Sequence, residues 1–115
     1  MNDMLRPSLY EAWHDIVRIG DPTGREQLAC DVVGPVCETG DTFASDRLLP
    51  RCEAGELVAI LGAGAYGASM ASSYNSRVLP AEVLVDDGRY AVVRRRQTFE
   101  EMLAGEQAAS TWTTA

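Results

Sequence analysis

In the stretch GPVCETGD, Gly34 to Asp41, a thiol (Cys37) stands beside a carboxylate (Glu38). A second carboxylate (Asp41) follows three residues later, and glycines and a proline bracket all three. A thiol with a pKa near working pH can hand a proton to a nearby carbon, and a carboxylate beside it can pair with an ammonium group. Glycine and proline on both sides predict a shaped turn, and loops held on rigid scaffolds are where binding and chemistry concentrate. A plainer account competes with this one, because cysteine is among the most buried residue types and Asp after Gly is ordinary turn chemistry.

Composition narrows the chemistry. A chain of 115 residues supplies one domain with a modest core and is too short for a (β/α)₈ barrel, which needs roughly 250 residues. Seventeen acids against ten bases give a formal charge of -7, which argues against nucleic acid and anionic membrane as partners. All ten bases are arginines, so no residue of this chain can form a Schiff base with a carbonyl substrate or with pyridoxal phosphate. Cys30, Cys37 and Cys52 contain no C-x-x-C pair and His14, the only histidine, lies far from them, which argues against a zinc site. An odd cysteine count without a signal peptide points to a reducing compartment, the cytosol. No apolar run approaches the roughly 18 residues of a spanning helix, so a soluble chain is expected.

The elements that must position the loop read as follows. MNDMLRPSLYEAWHDIVRIG is expected to carry no leader or polar tail; Leu9, Trp13 and Ile16 suit a helix face, but Trp13 to Ile19 is equally acceptable as a strand. DPTGRE, Asp21 to Glu26, predicts a turn, and Glu26 to Gly34 a strand feeding the loop. FASDRLLPRCEAGE, with Pro50 and Gly55, reads as a connection, and Leu57 to Leu61 as a buried strand. AEVLVDDGRYAVVRRR predicts a hairpin around Asp87-Gly88, with Val83, Val85, Tyr90 and Val92 on its faces. Thr98 with Glu101 is a capping-box pattern for a short helix, and the small polar end QAASTWTTA predicts fraying. The expected fold is mainly β and mostly antiparallel, a sandwich or partial barrel with one terminal helix.

One motif points elsewhere. Gly62-x-Gly64-x-x-Gly67 follows an apolar strand, and Asp86 and Asp87 come about twenty residues later, as in a dinucleotide-binding unit. That reading requires a helix from Gly64 to Arg77, yet Ser69, Ser72, Ser73, Asn75 and Ser76 interrupt any apolar stripe there, and the hairpin turn accounts for both aspartates. The alternative is that the glycines simply allow close backbone packing.

Four segments, MNDMLRPSLYEAWHDI, DVVGPVCETGD, GAGAYGASMASSYNSR and RRRQTFEEML, resemble in order and approximate spacing the C-terminal part of the diaminopimelate decarboxylase family. These pyridoxal-phosphate enzymes of lysine biosynthesis are related to alanine racemase and ornithine decarboxylase. The resemblance implies the C-terminal β domain of such an enzyme over residues 1–105 with a flexible tail at 106–115. It implies turnover of meso-2,6-diaminopimelate to L-lysine and CO2, a cytoplasmic setting, and a homodimer whose Cys-Glu loop enters the neighbouring subunit's site. Position by position, Arg6 and Tyr10 match residues at the substrate's carboxylate end and Cys37 the proton donor. Glu38 matches the carboxylate that recognises the distal amino group, and Tyr66 a residue touching both cofactor and substrate. An arginine fork suits a carboxylate where lysine would not. Polyamine-forming relatives carry Asp where this chain has Glu38, and Thr39 replaces a usual Ser. Cys30 and Cys52 match no functional position and read as packing cysteines, His14 reads as structural, and Arg94 to Arg96 as a strand end with a solvated face.

The resemblance covers the last quarter or so of a family member, with Met1 on an internal methionine. The (β/α)₈ barrel, its Schiff-base lysine and its phosphate-binding loop are thus expected outside this chain. Taken alone, the chain is expected neither to form a Schiff base with the cofactor nor to decarboxylate, and to be marginally stable or self-associating. A competing expectation is a non-catalytic remnant that binds a diacid or a full-length homologue.

Overall fold

A computed structural model of the chain describes residues 3–110, 112 and 113. The described residues form two compact units, Met1–Arg77 and Val78–Ala115. The expectation of a mainly β, antiparallel chain with a short terminal helix holds, and two short α-helices that were not expected form earlier in the chain; each strand has one antiparallel partner, giving three two-stranded sheets and no barrel closure among the described residues.

The first unit opens with helix α1 (Arg6–Tyr10), which Pro7 starts with its preset φ and Glu11 ends at φ 53°. That left-handed residue stops the helix before Trp13, so Leu9, Trp13 and Ile16 share no helix face. Ile16 instead begins strand β1 (Ile16–Arg18), which pairs with β4 (Val58–Ile60) in the register Ile16↔Ile60. β4 forms as expected but is not buried. Leu57 and Leu61 at its flanks are 66% and 45% exposed, because a two-stranded ladder has no second layer to cover them.

Strand β2 (Gln27–Val33) forms where expected and pairs with β3 (Thr42–Pro50), a strand within the segment read as a connection. The cause is irregular pairing. Cys30 faces Arg47 and Val32 faces Ala44, so Ser45 and Asp46 together oppose Asp31 in a bulge. Asp46 sits at φ 48° and its N–H donates to the Asp31 carboxylate at 2.8 Å. Ala44 and Leu49, five residues apart, would face opposite ways on a regular strand. The extra residue turns both inward, where with Ile16 they form the core against which Val32 and Ile60 pack.

An ion-pair cluster holds β1 to the turn before β4. The Arg18 guanidinium donates to both oxygens of Glu56, at 3.1 and 2.5 Å, Arg25 adds a contact at 2.9 Å, and the Glu53 N–H another at 2.9 Å. The Arg18 bonds first, and the Glu53 amide next, lower the Glu56 carboxyl from 4.5 to about 2. A carboxylate with a depressed folded pKa contributes stability above its unfolded value and loses it as pH falls toward the folded one. Protection of the Ile19 amide, which bonds to the Leu57 carbonyl at 2.8 Å, should therefore exceed that in Glu56→Gln near neutral pH. The difference should vanish between about pH 4.5 and pH 2 in hydrogen exchange. A constant ratio across that window would remove this role.

In the second unit, β5 (Glu82–Asp86) and β6 (Arg89–Arg94) form the expected hairpin, with Asp87 and Gly88 both at positive φ. Helix α3 (Phe99–Leu103) carries the full capping box: Thr98 Oγ accepts from the Glu101 N–H and the Glu101 carboxylate from the Thr98 N–H. Arg94 pairs with Glu82 at 2.6 Å, and Arg95 with Glu101.

Buried apolar side chains are few among the described residues: Met4, Ile16, Ala44 and Leu49. Val85 and Tyr90, opposite each other on the hairpin, are 70% and 77% exposed. At roughly 1.5–3 kcal/mol for each large side chain left in water, such a surface favours association. Sedimentation equilibrium of the chain alone should give a concentration-dependent mass above 12.5 kDa. A monomer with a sharp, concentration-independent melting transition would contradict this.

Candidate functional site

The loop between β2 and β3 is closed from within. The Gly34 N–H bonds to the Asp41 carbonyl at 2.8 Å, the Glu38 N–H to the Val36 carbonyl at 2.8 Å, and the Asp41 N–H to the Glu38 carbonyl at 3.0 Å. Thr42 Oγ1 donates to the Thr39 carbonyl at 3.2 Å. Inside the loop Asp41, a residue 2% exposed, accepts the Val36 N–H on its carboxylate at 2.7 Å. Cys37 and Glu38 lie on the outside, both exposed. The turn chemistry read from the sequence is therefore real, and it presents the thiol and carboxylate to solvent rather than packing them.

Helix α1 supplies the second group. Arg6 and Tyr10 are four residues apart and so project from one side of the helix. Tyr10 is 62% exposed. Ser8 Oγ donates to the Gly40 carbonyl at 2.7 Å, which couples the helix to the thiol loop. Helix α2 (Gly64–Met70) brings Tyr66 beneath Arg6, with the guanidinium carbon 4.1 Å from the ring centroid. The ring is 49% exposed, and Arg6 has no carboxylate partner among the described residues. A cation held over an aromatic face and left without an acid is available to an anionic ligand.

The position of α2 follows from residues whose roles were only partly legible. His14 is buried and its Nδ1 lies 3.0 Å from the Leu61 carbonyl, while the Leu61 N–H bonds to Asp15 at 2.8 Å. These bonds fix the end of β4, and Gly62 at φ 62° turns the chain into α2. A Cβ on Gly67 would lie 3.4 Å from the Asp3 carbonyl, an ordinary contact, and among the described residues nothing lies within 4 Å of one on Gly62 or Gly64, so close backbone packing does not account for these glycines. Arg47 stacks over Trp13 at 3.3 Å and bonds the His14 carbonyl at 2.8 Å, an arrangement with no local sequence signal.

The nucleotide-binding reading of Gly62, Gly64 and Gly67 is corrected. β4 pairs antiparallel with β1, α2 ends at Met70, and the helix required through Arg77 is absent. A dinucleotide unit needs a parallel βαβ crossover with a full helix on the sheet. Cys30 and Cys52 are also not packing cysteines within this chain. Both are exposed, Cys30 on a ladder without a covering layer and Cys52 in the segment after β3. No helix among the described residues is long and apolar enough to cross a membrane.

Residues 1–64 match the family described as pyridoxal-dependent decarboxylase, C-terminal sheet domain, and the chain belongs to that family. It is 51% identical over 108 residues to the diaminopimelate decarboxylase of Neisseria meningitidis serogroup A, covering 94% of this chain and 26% of that protein. Among solved structures it is similar to diaminopimelate decarboxylase from Helicobacter pylori complexed with L-lysine (49% identity, TM-score 0.78, 90% of this chain and 25% of that one). The enzyme from M. jannaschii in complex with L-lysine is likewise similar (38% identity, TM-score 0.86, 94% and 24%). The chain thus spans about a quarter of the length of the relatives it matches.

Proposed function

We propose that this chain is the C-terminal part of a diaminopimelate decarboxylase, which converts meso-2,6-diaminopimelate to L-lysine and CO2 in the cytoplasm as a step of lysine biosynthesis. The observation that carries this reading is the exposed Cys37–Glu38 pair on an internally closed loop, tied through Ser8 to the helix bearing Arg6 and Tyr10. Relatives of matching sequence bind L-lysine, a compound with the distal amine that Glu38 suits.

The residues present fit pyridoxal phosphate only as part of a larger enzyme. The chain has no lysine to bond the cofactor, while Tyr66 offers a half-exposed residue beside the Arg6 guanidinium, which has no carboxylate partner among the described residues. When bound, the cofactor supplies the electron sink that lets a carboxylate leave. The residues of this chain then divide the remaining work. Arg6, with Tyr10 beside it, binds the substrate's carboxylate end by a planar two-point contact. Glu38 pairs with the distal ammonium and excludes substrates that lack it. Tyr66 orients Arg6 and contacts cofactor and substrate. The Cys37 thiol delivers one proton to the carbon that has lost CO2 and recovers a proton from solvent. In this reading a second copy of the complete polypeptide receives the Cys37–Glu38 loop across a dimer interface.

The test is a substrate comparison in a complete enzyme whose C-terminal segment is this chain. CO2 release should be fastest with meso-diaminopimelate, with L-lysine as the product, and slower with ornithine or arginine. This chain alone, mixed with pyridoxal phosphate and gel-filtered, should retain none of it. Preference for ornithine, or no CO2 from any of the three, would overturn the assignment.

A further inference from the structure

Asp41 stands apart from the residues that meet substrate: its carboxylate points into the loop, not out of it. Two observations bear on what it does there. The Val36 N–H, directly before Cys37, donates to Asp41 Oδ2 at 2.7 Å. The space beside Gly34 is also taken by the same carboxylate, since a Cβ built on Gly34 would lie 2.2 Å from both of its oxygens. The glycine is therefore required by the aspartate, at a position where no positive φ demands it.

We infer that Asp41 and Gly34 form a clamp that fixes Cys37 for proton delivery, which makes Asp41 a positioning residue of the reaction; this rests on the function proposed above. The effect on the two outward side chains is unequal. Glu38 keeps two backbone anchors that do not use the Asp41 side chain, its own N–H to the Val36 carbonyl and its carbonyl to the Asp41 N–H. Among the described residues, the backbone just before Cys37 is held from the loop interior by the Asp41 carboxylate. Removing that carboxylate loosens the proton donor more than the recognition group, and a misplacement of about 1 Å can cost on the order of 10²-fold in rate.

The experiment compares Asp41→Ala, Asp41→Asn, Gly34→Ala and Cys37→Ala in the complete enzyme. Asp41→Ala should lower kcat on the order of 10²-fold with KM changed less than about threefold. Asp41→Asn, which keeps an acceptor oxygen for the Val36 N–H, should recover most of kcat. Gly34→Ala should be as damaging as Asp41→Ala, and the double variant no worse than the worse single one, because removing the carboxylate vacates the space the new methyl needs. If Asp41→Ala fails to fold, Asp41→Asn, which should keep most of kcat, and Gly34→Ala, which should lose it, carry the comparison, and equal kcat in the two would overturn the clamp. The clamp is overturned if Asp41→Ala keeps kcat within about threefold while Cys37→Ala abolishes turnover, or if Asp41→Asn is as impaired as alanine. Failure of the unsubstituted enzyme to release CO2 from meso-diaminopimelate would instead overturn the functional reading beneath it.

Discussion

Replacing Cys37 with alanine in the complete enzyme should lower kcat by roughly 10²- to 10⁴-fold, the range spanned by a single positioned proton donor. KM for meso-diaminopimelate should hold within about threefold, since the groups assigned to binding are untouched. The reason lies in the loop. Its backbone is closed by bonds within the loop and by the Asp41 carboxylate on the Val36 N–H, and Cys37 is left exposed on the outer side. Cys37→Ser should fall between wild type and alanine, because a hydroxyl of the same shape is a far weaker acid than a thiol. Steady-state kinetics on the three proteins, with unfolding midpoints to show that the fold is retained, decide the matter. Equal loss in kcat and gain in KM would make Cys37 a binding residue rather than a proton donor.

Arg6→Lys should lower kcat/KM by roughly tenfold to a hundredfold, mostly through KM. This corresponds to losing one charge-assisted hydrogen bond, worth about 1.5–3 kcal/mol. Lysine keeps the charge but not the planar fork. It also gives up the stacked position over Tyr66, where the guanidinium carbon lies 4.1 Å from the ring centroid. Tyr66→Phe keeps the ring beneath Arg6 and should preserve carboxylate binding, whereas Tyr66→Leu should weaken it. If Arg6→Lys binds substrate as well as the parent, the carboxylate is held elsewhere.

The parts of this fold that were legible are those set by local chemistry. Asp87-Gly88 demands positive φ at two successive residues and Thr98 reaches only as far as Glu101, so the hairpin and the capped helix follow from a few neighbouring residues. The missed strand β3 depends on a bulge. Ser45 and Asp46 resemble loop residues because they occupy an irregular pairing that can be recognised only once Asp31 is placed opposite them. Burial of Leu57, Leu61, Cys30 and Cys52 was misjudged for a related reason, since apolar runs report what a strand would bury and not whether a second layer covers it.

For the candidate site, type and spacing pointed to the loop residues, and the resemblance named Arg6, Tyr10 and Tyr66. The meeting of Arg6 with Tyr66 spans sixty residues of sequence and arises from β4, Gly62 and His14 acting together, which no local pattern encodes. Asp41 was visible as a carboxylate in a turn. Its inward orientation, which separates it in role from Glu38, becomes visible only once the Val36 N–H is seen to reach it inside the loop.

The central claim is that the loop carrying Cys37 enters a site that holds the diamino diacid. It is tested most directly by alkylating the complete enzyme with iodoacetamide, with and without saturating L-lysine, and reading each cysteine by mass spectrometry. Cys30 and Cys52, exposed in this chain and not among the residues proposed for the site, serve as internal references. The account predicts that L-lysine protects Cys37 and leaves the labelling of Cys30 and Cys52 unchanged. Equal labelling of Cys37 with and without L-lysine would contradict it.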